Sequence, residues 1–330
     1  MRSLVLTILI ALHGTAALAE DQPTVYRGAC DGSAAVRLDK DHFVAANDDE
    51  NSLRIYRFGN PAPLPSVVDL NDALKPDHKK GKFKEVDIEG AARIDDRIYW
   101  IASHGRTGKG KKDPSRHRFF ATDVILSGPS APSVLPAAQP YTDLLKHLIK
   151  LPKLDLDEAS ERAPEDEDGL NIEGLAAARN GGLLIGLRNP LPKGKAIVIP
   201  FINPDAVLDR GAAPEFGNPE KLDLGGRGIR SIEFIGDRYL IVAGPFDDGD
   251  HDFAMYSWSG KSGDQPQPAR AVAVGPVRQE LLFSFKPEAL FATADDKVAY
   301  LLSDDGTGAC KDEKDPGRRT FRGIAVRLVD

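Results

Sequence analysis

A short two-strand pattern recurs along the chain, and it restricts the fold more than any other feature of the sequence. In its clearest copies, Ile88-Glu89-Gly90 and Ile172-Glu173-Gly174 each begin an apolar strand that leads through a turn into a second apolar strand. Apolar runs joined by turns of Asp, Asn or Gly are typical of β-hairpins. The copies begin near residues 33, 89, 173, 233 and 288, and further strand candidates follow each of them. Repeats of four short strands predict an all-β fold, a five-bladed β-propeller of four-stranded antiparallel blades.

The two ends of the chain predict how such a ring closes. The last repeat stops at its third strand candidate, residues 319–328, and residues 24–29 ahead of the first repeat can supply the missing fourth strand. A last blade closed by the N-terminal strand leaves no open edge between the last blade and the first. Cys30 follows the N-terminal strand and Cys310 lies in the last repeat, so closure predicts a disulfide between them. Two free thiols are the alternative.

One long segment interrupts the regular spacing of the repeats. The longest interval between repeats contains a strongly acidic run, and we predict that about residues 141–168 form an insertion with a short helix. Residues 269–274 are the expected fourth strand of the fourth blade. Because long surface insertions cost little closure entropy, the insertion leaves the predicted ring intact.

The N-terminus has the order of a secretory signal peptide. Arg2 precedes a short apolar run, and small residues end at Ala19 before the acidic Glu20. This order predicts that residues 1–19 are removed after Ala19 and that residues 20–330 form one propeller domain in the periplasm or outside the cell. A membrane anchor is the alternative, but the apolar run is well short of the roughly 20 residues that span a bilayer.

Composition limits the partners of the chain. Asp and Glu number 50 and Lys and Arg 43, which gives a net charge of -7. A chain without an overall basic field does not attract a nucleic-acid backbone. We expect a monomer without a membrane span whose ligand is a small molecule or a protein.

Glutamate begins the innermost strand candidate in four of the five repeats. Ring symmetry predicts that these carboxylates converge on one mouth of the central channel: Glu89, Glu173, Glu233 and Glu288. Like charges in a confined mouth need a neutralising cation, or some of them must be protonated. Carboxylate oxygens suit Ca²⁺ or Mg²⁺, and guanidinium groups could serve instead. In the architectural alternative, each glutamate accepts backbone N–H groups between blades.

Polar residues in the predicted loops frame the same mouth. Asp48 and Asp304 each follow the second strand of a repeat, in the first and last units. Arg106, Arg188 and Arg230 could each present a forked donor to a carboxylate or phosphate group. These five residues are the predicted ligand-binding set.

The sequence alone does not decide whether the chain is an enzyme. His104 could carry a proton, and Glu89 or Glu173 could act beside it as an acid, a base or a metal ligand. The sequence contains no nucleophile elbow, zinc-protease motif, Walker loop or dinucleotide fingerprint. The leading hypothesis is a periplasmic propeller that binds a small anionic or carbohydrate ligand, a metal ion or a protein at its glutamate-lined mouth. A metal-dependent hydrolase of phosphate esters or lactones, using the same mouth, is the alternative.

The Ile-Glu-Gly units support a resemblance to known proteins. With Ile88-Glu89-Gly90 and Ile172-Glu173-Gly174, the chain resembles an uncharacterised bacterial family of secreted propeller-like proteins and, more distantly, the esterase-like phytase domains. The first resemblance implies the fold without a reaction, and the second implies a metal-dependent hydrolase. The chain departs from the shared pattern at Ser33, Phe234 and Ala289, which weakens the expectation of a complete metal cage.

Overall fold

The structure is a computed structural model that describes residues 23–126, 131–247, 249, 252–273, 285–295 and 297–329. The predicted signal peptide, residues 1–19, lies outside these ranges. Strands account for 46% and helices for 12%, which confirms the all-β prediction. Within the described ranges, no helix is both long and apolar enough to cross a membrane.

The strands form the predicted propeller of five four-stranded antiparallel blades. In the following list the strand nearest the channel comes first. Blade 1 contains β2 (Ala34–Arg37), β3 (His42–Ala46), β4 (Ser52–Arg57) and β5 (Pro63–Asp69). Blade 2 contains β8 (Ile88–Ile94), β9 (Arg97–Ala102), β10 (Phe119–Ile125) and β11 (Ser133–Tyr141), and blade 3 contains β12 (Asn171–Ala177), β13 (Leu183–Asn189), β14 (Ala196–Phe201) and β15 (Glu220–Leu222). Blade 4 contains β16 (Gly228–Ile235), β17 (Arg238–Gly244), β18 (Ala254–Trp258) and β19 (Gln267–Pro268), and blade 5 contains β21 (Pro287–Ala292), β22 (Val298–Ser303), β23 (Thr320–Val329) and β1 (Thr24–Arg27).

The innermost strands contact one another around a closed ring. β2 contacts β8, β8 contacts β12, β12 contacts β16, β16 contacts β21, and β21 returns to β2. Apolar side chains fill the spaces between neighbouring blades, as Ile172 and Ile185 do between blades 2 and 3. The ring therefore has its core between the blades, while the polar starts of the inner strands surround the channel.

Short elements lie in the connections between strands. They are α1 (Asn71–Leu74), α2 (Leu144–Leu148), α3 (Leu156–Ala159), α4 (Pro204–Arg210), α5 (Gly308–Lys311) and a small hairpin of β6 (His78–Lys79) and β7 (Lys82–Phe83). The predicted insertion contains α2 and α3. Leu148 and Leu156 of these helices are buried in the core between blades 2 and 3. The insertion is thus packed onto the ring through its apolar residues.

One predicted strand belongs elsewhere in the ring. The fourth strand of blade 4 is β19, whereas β20 (Arg270–Ala273), within the predicted strand 269–274, pairs with β23 of blade 5. The reason is the length of β23, which has ten residues, of which the four-residue β1 covers only Thr320–Gly323. The rest of that edge would be open, and β20 pairs with Val326–Val329.

The N-terminal strand closes the last blade as predicted. β1 pairs antiparallel with β23, with Thr24 opposite Gly323 and Arg27 opposite Thr320. Tyr26 of β1 is fully buried, and its hydroxyl lies 2.7 Å from that of Tyr300. The predicted disulfide joins Cys30 to Cys310, with a Cα–Cα distance of 5.9 Å. Both termini are therefore fixed in one blade.

Removing the disulfide by replacing Cys30 and Cys310 with Ser should lower the free energy of unfolding by about 2–5 kcal/mol, because a crosslink restricts the unfolded chain. The bridged cysteines are 280 residues apart in sequence, so the loop that the bridge closes is long. Urea denaturation of the oxidised wild type and the double variant measures the difference. A reductant should destabilise the wild type and leave the variant unchanged; an equal response of both proteins would contradict this explanation.

The glycine of the Ile-Glu-Gly units lies where neighbouring blades approach closely. A Cβ atom on Gly90 would come within 3.0 Å of the Leu175 Cβ of blade 3. At Gly174 it would come within 2.9 Å of Ile229 and 3.0 Å of Ile232 of blade 4. Packed cores accept added methyl groups poorly. The glycine therefore allows the inner strands of adjacent blades to pack against each other.

Gly174→Ala should lower the free energy of unfolding by about 1–3 kcal/mol, because the new methyl group overpacks the contact between blades 3 and 4. Gly308→Ala is the matched control, since a Cβ there meets nothing within 4 Å. Equilibrium denaturation of both variants provides the comparison. Equal stability of the two variants would show that the blades can move apart without cost.

Candidate functional site at the channel mouth

A β-bulge recurs at the same place in the inner hairpins of four blades. In blade 2 the strand register shifts between Ile88 and Gly90, which leaves Glu89 without a partner across the hairpin. Corresponding shifts occur in blades 3, 4 and 5. A bulge redirects one side chain out of the regular alternation. We call the four residues in these shifts the bulge residues: Glu89, Glu173, Arg230 and Glu288.

The residue from blade 4 differs from the sequence prediction. Glu233 is opposite Leu240 in regular register, three residues beyond the bulge that contains Arg230. Burial raises the pKa of Glu233 to about 8, while Arg37 of blade 1 lowers it. The sequence reasoning aligned Ile232-Glu233 with the Ile-Glu units, although Ile229-Arg230 has the same spacing from the turn as Ile88-Glu89. An arginine thus takes the place expected for the fourth glutamate.

Glu173 is the centre of a buried ion-pair network. Its Oε1 accepts hydrogen bonds from Nη1 of Arg188 and from Nδ2 of Asn171, each at 2.9 Å. Its Oε2 lies 3.2 Å from Nε of Arg230, whose Nη2 lies 3.6 Å from Oε1 of Glu288. Glu173, Arg188 and Arg230 are each at most 5% exposed. The predicted glutamates are therefore not equivalent: Glu173 has two arginine partners, Glu288 is paired with an arginine at longer range, and Glu233 lies elsewhere.

Glu89 differs from the other bulge residues. It is 7% exposed, and among the described residues no group donates a hydrogen bond to its Oε2. Burial raises the pKa of Glu89 well above its ordinary value, and Asp87, Glu173, Glu288 and Asp48 raise it further. Glu173 and Glu288 have arginine partners, whereas no ion pair joins the carboxyl group of Glu89 to any described residue.

Three aspartates form a second acidic group at the rim, where blade 1 meets the closing strand. Asp31, Asp48 and Asp49 each place one carboxylate oxygen within 4.8 Å of the others. The backbone N–H of Asp48 donates to Oδ1 of Asp31 at 3.3 Å, and Asp31 forms a backbone bridge with Asp304. Nζ of Lys311 lies 2.9 Å from Oδ1 of Asp49 and 4.0 Å from Oδ2 of Asp48. We call Asp31, Asp48 and Asp49 the rim aspartates.

The rim aspartates and Glu288 influence one another electrostatically. Burial raises the pKa of Asp31 well above its ordinary value, and the charges of Asp48 and Glu288 add to this effect. Burial raises the pKa of Asp48 to about 6, with Asp49 adding to the shift and Lys311 opposing it. Burial also raises the pKa of Glu288, with a further increase from Asp304. Bulge residues and rim aspartates therefore belong to one acidic mouth.

Arg106 lies outside this network. Its Nε donates to the carbonyl of Ser160 at 2.9 Å, its Nη1 to that of Gly110 at 3.2 Å, and its Nη2 pairs with Glu161. These contacts tie the loop after β9 to the insertion. The predicted ligand-binding role of Arg106 stays a prediction, while the contacts indicate a structural one.

His104 is buried below the mouth and 1% exposed. Its Nδ1 lies 2.8 Å from the carbonyl of Ala102, so that nitrogen donates, and its ring stacks on His117 at 5.9 Å. Burial lowers the pKa of His104 to about 3, which makes the imidazole neutral at physiological pH. Within the described part of the chain, no hydrogen bond or ion pair joins His104 to Glu89 or Glu173. The candidate catalytic role of these three residues stays a prediction.

Sequence reasoning missed several members of the mouth. Asp31, Lys311 and Asp87 are not part of the repeat pattern, so the spacing could not reveal them. Asp87 pairs with Arg116 at 2.6 Å and precedes Glu89 by two residues. Asp31 and Lys311 each follow a cysteine directly, and that shared position is the sequence signal that could have placed them together.

Comparisons with known proteins give one family match and several structural similarities. Residues 135–283 match the model of a family described as a protein of unknown function (DUF3616). No curated protein matches the sequence. Among solved structures, glutaminyl cyclase of Myxococcus xanthus is similar with a TM-score of 0.45 and 12% identity, over 93% of this chain and 95% of that one. A GH43 glycoside hydrolase with an engineered active site is similar with a TM-score of 0.47 and 11% identity, over 93% of this chain and 53% of that one.

Replacing Glu89 with Gln should increase stability at pH 8 by about 1–3 kcal/mol, the usual cost of an unsatisfied buried polar group. The pKa of Glu89 is raised in the folded state. The protonated carboxyl group of Glu89 therefore stabilises the folded state fully below the unfolded-state pKa of about 4.3. This stabilisation is lost as the pH rises through the higher folded-state pKa. Glu89→Gln should therefore have a higher free energy of unfolding than the wild type at pH 8 and the same free energy of unfolding at pH 4.

Urea denaturation at both pH values, in buffer containing a chelator, measures this difference. Glu215→Gln, which changes an exposed carboxylate, is the control and should have no effect at either pH. A loss of stability in Glu89→Gln at pH 8 would support the architectural alternative, in which the carboxylate accepts backbone hydrogen bonds.

Proposed function

We propose that the protein is a secreted binding propeller whose channel mouth holds a positively charged group of its ligand at Glu89. The observation that carries this proposal is the buried carboxyl of Glu89, whose Oε2 accepts no hydrogen bond from the described residues. Binding sites keep polar groups unsatisfied at a cost in stability because the ligand later satisfies them. A cationic donor would neutralise Glu89 and complete its hydrogen bonding in one step.

The arginines of the mouth favour a cationic ligand over an anionic one. Arg188 donates to Glu173, to the carbonyl of Pro245 at 3.2 Å and to the carbonyl of Asp247. Arg106 contacts the insertion. Nη1 of Arg230 has no acceptor among the described residues, but Glu173 and Glu288 already balance the charge of its guanidinium group. An arginine that already serves protein carboxylates and carbonyls has less capacity for an added phosphate or carboxylate. Of the ligands considered from the sequence, a small anion is therefore the least compatible with the arginines of the mouth.

Two asparagines supply further acceptors near the same network. Oδ1 of Asn171 and Oδ1 of Asn189 are buried, and the part of the chain that the structure describes contains no donor to either atom. Asn171 uses its Nδ2 on Glu173, and Asn189 uses its Nδ2 on the carbonyls of Pro164 and Phe246. Both amides thus direct their donors to the protein and leave their carbonyl oxygens for a ligand. An alkylammonium or guanidinium group has several N–H donors and fits this set.

Secretion is the second part of the proposal. The predicted signal peptide and the disulfide between Cys30 and Cys310 support it, because disulfides persist in oxidising compartments such as the periplasm. A binding protein in that compartment meets its ligand outside the cytoplasm. Export can be tested by fractionating cells that express the full chain and by measuring the mass of the mature N-terminus.

Ligand binding can be tested with putrescine and guanidinium chloride as probes of the two cation classes. Calorimetric titration of the mature chain should give saturable binding for at least one probe, weakened at least about tenfold by Glu89→Gln, as removal of a buried charge partner usually costs this much. Affinity should increase with pH, because a carboxyl with a raised pKa must lose its proton before it pairs with a cation.

Glu215→Gln is again the matched control and should bind the probes like the wild type. Sodium chloride at equal ionic strength controls for general screening. The proposal fails if neither probe gives saturable binding, or if Glu89→Gln binds both as tightly as the wild type.

A further inference from the structure

We infer that the rim aspartates, Asp31, Asp48 and Asp49, form a Ca²⁺ site in which the ion competes with the ammonium group of Lys311. The inference does not rest on the proposed function, because none of these carboxylates is a bulge residue and their ligand would be a metal ion. It also differs from the sequence prediction, which placed the metal among the four glutamates.

The spacing of the carboxylates fits a single calcium ion. One oxygen from each rim aspartate lies within 4.8 Å of the other two. Oxygens bound to one Ca²⁺ ion at about 2.3–2.6 Å can be separated by up to about 5 Å. Calcium takes six to eight oxygen ligands in flexible geometry, so three carboxylates and solvent can share its coordination sphere. Carboxylate oxygens are also the hard ligands that this ion prefers.

The hydrogen bonding of Asp31 is an independent indication of a ligand. Asp31 is 2% exposed, and its Oδ2 has no donor among the residues that the structure describes. Oδ1 of Asp48 is also a buried atom that accepts no hydrogen bond from the described ranges. Asp31 is held in place through its backbone bridge to Asp304 and through its Oδ1, which accepts from the N–H of Asp48. A fixed buried carboxylate with an unsatisfied oxygen needs a cation or a proton.

Lys311 supplies only part of the necessary charge. Its side chain is 43% exposed, and its Nζ contacts Asp49 and approaches Asp48. Ion pairs with this much exposure contribute little to stability. A divalent ion has twice the charge of the ammonium group and can contact all three carboxylates at once. The ammonium group can therefore be displaced into solvent when Ca²⁺ binds.

The acidic residues next to the rim aspartates are poorer candidates for Ca²⁺ ligands. Glu50 follows Asp49 directly, but its Oε2 accepts from Arg54 at 2.7 Å and its Oε1 from Arg319 at 2.6 Å. Asp304 accepts the N–H of Gly306 at 2.8 Å. Glu50 therefore has an arginine partner at each oxygen, whereas no ion pair joins Asp31 to any described residue. An ion held by them would connect the loop of blade 1 to the segment that follows the closing strand.

The test uses the mature chain, freed of metal and titrated with CaCl₂ by calorimetry and by thermal denaturation. Extracellular calcium modules bind with dissociation constants of about 0.1–1 mM, so the titration extends to about 10 mM. The wild type should show saturable binding and an increase in Tm, since a ligand of the folded state stabilises it. Asp31→Asn should weaken binding at least tenfold, and Lys311→Met should strengthen it at least about fivefold.

Two controls separate this site from other effects. Lys314→Met removes an exposed lysine of the same segment and should bind Ca²⁺ like the wild type. The calcium titrations contain no amine probe, so a failure of the proposed amine site and a failure of the calcium site are distinguishable. Lys311→Gln serves as a second variant, and urea denaturation without metal establishes that each variant is folded.

The inference is overturned if the wild type shows no calcium-dependent heat or Tm shift across this range. It is equally overturned if folded Asp31→Asn binds as well as the wild type, because the ion would then lie elsewhere. If both folded Lys311 variants bind Ca²⁺ no more tightly than Lys314→Met, the ammonium group is not a competitor and the inference is wrong in that respect.

Discussion

The pairing of β1 with β23 is the contact on which the rest of the molecule depends. A row of blades without this pairing would have two open edges, and its inner strands would not surround a channel. The pairing brings the N-terminal segment beside blade 5 and carries Asp31 to the rim, where the loop of blade 1 supplies two further aspartates. The polar mouth therefore exists only because strands from opposite ends of the chain share one sheet.

Buried carboxyl groups occur in two different environments at the mouth. Around Glu173, the guanidinium groups of Arg188 and Arg230 provide opposite charge, and Arg188 also donates a hydrogen bond, so the charge of the cluster is balanced within the protein. Around Glu89 and Asp31, burial and neighbouring carboxylates raise the pKa instead, and oxygens lack donors among the described residues. The first arrangement stabilises the ring, whereas the second costs stability, as is typical of positions that interact with a ligand.

Much of the fold could be predicted from the sequence because local signals specify it. Turn residues between apolar runs predict the hairpins, and the missing strand at one terminus predicts the closure. The bulge of blade 4 is harder to predict, because Ile232-Glu233 matches the residue types of the Ile-Glu units, whereas Ile229-Arg230 matches their spacing from the turn and forms the bulge. The fourth strand of blade 4 also depended on tertiary structure, since β20 pairs with the part of β23 that β1 leaves uncovered, and only the strand register shows how far β1 extends. Asp31 and Lys311 lie outside the repeat pattern, so only their positions after the two cysteines connect them in the sequence.

The arginine in the bulge of blade 4 gives the mouth a direction. Blades of similar sequence would surround the axis with equal charge, but Arg230 and Arg188 balance the carboxylates of blades 3 and 5, while Glu89 and Asp31 of the other side have no such ion pair among the described residues. Ser33 stands at the corresponding place in blade 1 and uses its hydroxyl on the carbonyl of Ile88 at 2.6 Å, so it adds no charge. The charge around the pore is therefore uneven, with the carboxyl groups that lack ion pairs on one side of the axis. The cationic end of a bound molecule would be attracted to that side, so the uneven charge favours one orientation of such a ligand.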